Sequence, residues 1–144
     1  MKIETRTTMV PDLRKVYIAN DGTEFDRYIE CVHYEIDVYR KQVEVSKDVI
    51  ECKELLYCKP FKYSTENTYR WFKPLNENGI ELLNKAFPAE QETNNLTNYD
   101  IGKWHCIKYD ADKYEYCWNA LSNIQIYMNK VLNLLDAIDN EENR

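Results

Sequence analysis

The sequence predicts an α+β domain: a small mixed or antiparallel sheet, built from two β-hairpins and a central strand, packed against three to four helices. Three observations point there. Short apolar and aromatic runs flank Asp21-Gly22 and Asp110-Ala111-Asp112, the turn chemistry of hairpins. An aromatic run, Thr68 to Lys73, stands between polar turn residues and Pro74. Apolar residues recur at helical spacing after Asp26, Asn76 and Ala120. With 144 residues and no repeat or linker, the chain reads as one domain, 1–144, long enough to bury a core.

Residues 1–14 alternate weakly from Ile3 to Val10, as an N-terminal strand that Pro11 ends or as a loose arm. Val16, Tyr17 and Ile18 suit a pleated surface. Asp21-Gly22 then supplies a type I′ turn, and Glu24-Phe25 starts the return strand. Asp26 is placed to cap a helix with its carboxylate. Tyr28, Val32, Ile36, Tyr39 and Val43 share one face of that helix, while Glu30, Glu35, Asp37, Arg40 and Lys41 fall largely elsewhere, toward water. The helix is expected to run on with a break near Ser46, its stripe continued by Val49, Cys52 and Leu56. A strand over Glu51 to Tyr57 is the alternative, so residues 44–58 stay open until Pro60 closes the region.

Tyr63 to Asn67 reads as a turn. In the strand that follows, Tyr69 and Trp71 share one face, Arg70 and Phe72 the other. Asn76 caps the next helix, Leu75 and Ile80 form a hydrophobic staple, Ile80, Leu83 and Phe87 line one side, and Pro88 ends it. Ala89 to Asp100 is a polar loop. Ile101 to Trp118 reads as the second hairpin, with Tyr114, Tyr116 and Trp118 on one face of its return strand. Leu121, Ile124, Met128, Val131, Leu135 and Ile138 then step by three and four, a heptad seam widened by Tyr127, Leu132 and Leu134. The width favours a core helix packed on the sheet over a dimer seam. Negative charge at the wrong end of the macrodipole predicts a frayed acidic tail, 137–144.

One stretch carries a resemblance. Tyr17-Ile18-Ala19-x-Asp21-Gly22-x-Glu24-Phe25-Asp26, followed by Glu30-Cys31-x-x-Tyr34-Glu35, resembles the opening of small uncharacterised phage and prophage proteins of low-GC Gram-positive bacteria. The chain departs from them at Arg27-Tyr28-Ile29, where those proteins are rich in acidic residues. The resemblance implies a mobile-element accessory protein and no particular reaction.

Composition narrows the function classes. Net charge is −6; residues 1–72 carry 12 Lys/Arg against 13 Asp/Glu, and residues 73–144 carry 7 against 12. The second half therefore argues against nucleic acid and suits a partner protein with a basic surface. The start has no secretory apolar region and no run is long enough to span a bilayer, so a cytoplasmic protein of the host cell is expected. The odd set Cys31, Cys52, Cys58, Cys106 and Cys117 then reads as reduced thiols. None of the cysteines and histidines has structural-zinc spacing, no nucleophile signature occurs, and three glycines leave little for a phosphate cradle. No catalytic, metal or cofactor residue is assigned.

What remains is an interaction surface. Trp71, Trp104, Tyr114, Tyr116 and Trp118, rimmed by Asp110 and Asp112, are the candidate partner-binding residues. The expected function is binding and inhibition of a host protein, in the manner of an anti-defence factor. The alternative is a protein that sequesters a small molecule or nucleotide, with Trp104, Tyr114, Tyr116 and Trp118 stacking on it and Arg70 or Lys103 nearby.

Overall fold

The computed structural model describes residues 1–7, 13–53, 68–110 and 112–142. The α+β class is as expected, but the strands divide between two antiparallel sheets rather than forming one. The first sheet joins β1 (Lys2–Thr7), β2 (Leu13–Ile18) and β3 (Glu24–Phe25) in that order. The second joins β4 (Val49–Glu51), β5 (Thr68–Pro74), β6 (His105–Tyr109) and β7 (Asn119–Ala120). Three α-helices, α1 (Tyr28–Val45), α2 (Glu77–Ala86) and α3 (Leu121–Glu142), complete the described elements with two short 3-10 turns.

The start of the chain is a paired strand, not an arm: Lys2 lies opposite Ile18 and Thr7 opposite Leu13. Pro11 lies outside the described residues. The Asp-Gly hairpin forms, with Tyr17 opposite Phe25, but its turn is one residue longer than the type I′ expected. The Gly22 amide donates to the Ala19 carbonyl at 2.9 Å, and Ala19 in turn donates to Thr23 at 2.9 Å. This is a three-residue loop, with Gly22 at φ +90° taking the left-handed position that such a loop needs.

The motif residues around this hairpin pack on one another. The Tyr34 hydroxyl donates to the Asp21 carboxylate. The Asn20 amide donates to Glu35 Oε1 at 3.2 Å, and the rings of Phe25 and Tyr34 lie 5.1 Å apart. Ala19 and Cys31 are buried beneath. The pattern thus docks the hairpin onto the first half of α1, which accounts for it without any chemistry.

Helix α1 begins one residue later than predicted. Its cap is Arg27, without a side-chain hydrogen bond, and Asp26 instead faces Arg14 at 3.5 Å. The helix ends at Ser46 as the break predicted, but Val49–Glu51 continues as strand β4 rather than as helix. The alternative strand over Glu51 to Tyr57 falls mostly outside the described residues, as does the turn at 63–67.

The aromatic strand is as predicted, and its alternation builds two cores. Arg70 and Phe72 face one side of the sheet with Val49, Ile107, Leu83 and Phe87, under α2 and α1. Tyr69 and Trp71 face the other with Cys106 and Ile124, and with Trp104 and Leu121 partly buried there. Burying one large apolar side chain such as Phe87, fully enclosed here, contributes roughly 2–3 kcal/mol.

Helix α2 is the most legible element. Asn76 accepts from the Gly79 amide at 3.0 Å, and Ile80, Leu83 and Phe87 are buried. Gly79 has a second reason to be glycine: a β-carbon there would stand 2.2 Å from the Asp48 carbonyl oxygen. In an open helix Gly→Ala gains about 1 kcal/mol. Here Gly79→Ala is expected to cost about 2 kcal/mol, because backbone must move to admit it. Urea unfolding of the two proteins checks the sign.

Two expectations fail in the last third. Residues 112–118 do not return along β6; among the described residues β7 pairs there, Ala120 opposite His105 and Asn119 opposite Cys106. Tyr116 instead bridges to Ala89, donating to the Pro88 carbonyl at 2.8 Å and accepting from Glu90 at 3.0 Å. Helix α3 is not a core helix. Only Ile124 is buried, and the helix extends through Glu142, into the tail expected to fray.

Candidate functional site

Among the described residues a wide recess lies between α1 and two loop segments, residues 88–95 and 112–115. It is a groove of about 820 Å³. Its α1 wall is apolar: Tyr28, Ile29, Val32 and Ile36 line it, with Tyr28 52% and Ile29 44% exposed. Tyr114 lies in the opposite wall, its ring stacked on His33 at 3.8 Å and 5°. The Tyr114 hydroxyl donates to Asp37 at 3.2 Å. Among the described residues, Glu90, Glu92, Asp112 and Glu115 form the rim with one cation, Lys113, which pairs with Glu90 at 3.4 Å. Four carboxylates against one ammonium leave the rim net negative.

A buried arginine holds this wall in place. Arg40 donates through Nε to the Ala86 carbonyl at 3.1 Å, and through Nη2 to the Lys113 carbonyl at 2.5 Å and Tyr116 Oη at 3.1 Å. Its guanidinium lies 4.9 Å from the Tyr114 ring centre and 5.4 Å from that of Phe87. Sequence reasoning placed Arg40 in water. The missed signal was its position, four residues after Ile36 and three before Val43, in the middle of the buried stripe Cys31, Ile36, Arg40, Val43.

The predicted partner-binding residues do not assemble into one patch. Trp71 and Tyr116 are buried, on opposite faces of the second sheet. The Tyr116 hydroxyl donates toward the Asp110 and Lys113 carbonyls at 2.7 and 2.8 Å, and burial pushes its phenol up to about 12. Trp118 is half-buried, its indole N–H given to the Phe87 carbonyl at 3.2 Å. Trp104 lies on the far side of the sheet with Trp71 and Leu121. Asp110 is exposed, but its carboxylate closes the turn by accepting from the Asp112 amide at 3.0 Å. Of the seven, only Tyr114 and Asp112 reach the groove.

The same dispersal removes the stacking platform. Trp104 and Tyr116 belong to different cores, and Arg70 is held by Glu51 in a bidentate pair at 2.7 and 3.0 Å. The sulfur and imidazole groups are scattered too. Cys31 is buried under the hairpin, while His33 stacks on Tyr114. His105 and Cys106 point to opposite faces of β6; burial pulls the His105 imidazole down and pushes the Cys106 thiol up to about 12. Cys31, Cys106 and Cys117 are free thiols, and Cys58 lies outside the described residues. Among the described residues no group of three or more His, Cys, Asp or Glu could hold a metal ion, and no helix is long and apolar enough to cross a membrane.

Compared with known proteins, the chain matches no family model, no curated protein and no solved structure.

Proposed function

We propose that this chain is a phage or prophage accessory protein that binds and inhibits a host protein, taking a basic segment of that protein into the groove beside α1. The observation that supports this reading most is the pairing of an apolar wall with an acidic rim in one recess. Apolar contact supplies affinity, and the carboxylates select a cationic partner and speed its approach. Phosphate-bearing ligands would meet repulsion at the same rim, which disfavours nucleotide sequestration. The resemblance of residues 17–35 to phage and prophage proteins directs the search to host proteins, defence components among them.

Reversing the rim tests the reading. The triple variant Glu90→Lys, Asp112→Lys, Glu115→Lys changes exposed side chains only. Quantitative mass spectrometry of host-lysate pull-downs should show a partner recovered by the unmodified chain and reduced about 10-fold or more by the variant. That partner's own activity should fall on titration with the unmodified chain. Equal recovery by both proteins would reject the groove as the binding surface.

A further inference from the structure

We propose that α3 pairs with α3 of a second copy of this chain, antiparallel, along the seam beyond its first turn. This stands apart from the groove, which lies beside α1.

Among the described residues, α3 packs on the second sheet at its start, where Ile124 is 7% exposed and Leu121 half-buried beside Trp71 and Trp104. From Gln125 to Glu141 every side chain except Val131 is exposed. Yet the exposed surface is strongly apolar: Met128 44%, Leu132 53%, Leu134 67%, Leu135 53% and Ile138 52%. At 100° per residue these five and Val131 fall within a stripe roughly 160° wide, and Ile126 faces the opposite way. A helix of this kind in water is marginal without a partner.

The seam fits a copy of itself. Run antiparallel, Met128 lies opposite Ile138 of the second copy and Val131 opposite Leu135, so every free seam position meets another. Leu132 and Leu134 then flank the two-fold axis, which passes near Asn133.

Charge sets the direction. Asp136, Asp139 and Glu141 crowd the C-terminal end, and Lys130 is the helix's one basic residue. A parallel pair would set those carboxylates against their own copies and align the two macrodipoles. The antiparallel pair sets Asp136 level with Lys130, Asp139 with Tyr127 and Glu141 with Gln125 of the partner helix, toward its positive end. It also sets the two domains at opposite ends of paired helices, each about 33 Å long.

Sedimentation equilibrium of the full chain, over about 1–200 µM, tests this. The unmodified chain should be a dimer. Leu135→Asp and Ile138→Asp should each weaken it at least about 100-fold, with far-UV circular dichroism showing the domain still folded. Ile126→Asp, on the opposite face, should leave the dimer intact. Raising salt from about 50 to 500 mM should not tighten an antiparallel pair, whereas it would tighten a parallel one by screening the carboxylates. A monomer at about 200 µM, or seam variants as dimeric as the unmodified chain, would overturn the proposal. So would a monomer whose α3 amides are protected from hydrogen exchange, since this chain's own residues would then cover the face. Marked tightening with salt would overturn the antiparallel arrangement.

Discussion

Arg40→Ala is expected to destabilise the fold by about 4 kcal/mol, among the largest effects of any single truncation in this chain. The side chain is buried, and its guanidinium ties three segments distant in sequence: α1, the end of α2 at Ala86, and the loop carrying Lys113 and Tyr116. Truncation removes a donor from the Ala86 carbonyl, at roughly 1–3 kcal/mol, and leaves the Lys113 carbonyl with the Tyr116 hydroxyl. It also empties the space under the rings of Phe87, Tyr109, Tyr114 and Tyr116. Arg40→Lys keeps the charge and loses the fork that reaches several acceptors at once, so it should recover less than half of the loss. Thermal unfolding should show Arg40→Ala melting about 10–15 °C lower. Because Arg40 stacks under Tyr114, the same substitution should weaken partner binding at the groove even at temperatures where the domain remains folded. A melting point within about 2 °C of the unmodified chain would contradict this account of Arg40.

What the sequence disclosed and what it hid follow from how local each signal is. The Asn76 cap and the Ile80, Leu83, Phe87 stripe depend on residues within a few turns of one another, and both are present. The alternation of Tyr69 and Trp71 against Arg70 and Phe72 is a property of any extended chain, and it correctly divided the two cores. Period two does not guarantee a strand, however. Tyr114, Tyr116 and Trp118 alternate like the return arm of a hairpin, but the Tyr116 hydroxyl finds Arg40 and two loop carbonyls, and its backbone pairs with residues 88–90. Arg40 and residues 88–90 lie far away in sequence, so nothing nearby announced them.

The groove was half legible for the same reason. Its acidic rim shows as charge imbalance in the second half of the chain, while Tyr28, Val32 and Ile36 of its wall lie on the helix stripe that reads as core. Tyr28 and Ile29 stand at the start of α1, ahead of the point where α2 begins to cover it, and so remain exposed. Helix α3 poses a related problem. A heptad stripe states that something apolar covers the face; its period is the same whether that is a sheet, another segment or a second molecule.

Removing the carboxylate of Glu51 is the second substitution expected to act strongly. Glu51 on β4 and Arg70 on β5 share a face, with both side chains 10% exposed. The guanidinium also lies 5.0 Å from the Phe72 ring centre and 4.9 Å from that of Tyr109. Burial pulls the Arg70 guanidinium down, and Glu51, with Tyr109 and Glu44 adding to it, leaves it raised overall. Glu51→Ala therefore strands a cation among aromatic rings, and about 3–5 kcal/mol of stability should be lost. The pair itself is worth far less than this, because both charges were desolvated to form it. Glu51→Leu with Arg70→Met, which replaces both by apolar groups of similar reach, should fall within about 1 kcal/mol of the unmodified chain. Urea unfolding of the single and double variants measures the difference as a coupling energy. A double variant as unstable as Glu51→Ala would mean that the pair contributes net stability to the sheet, rather than merely matching two costly charges.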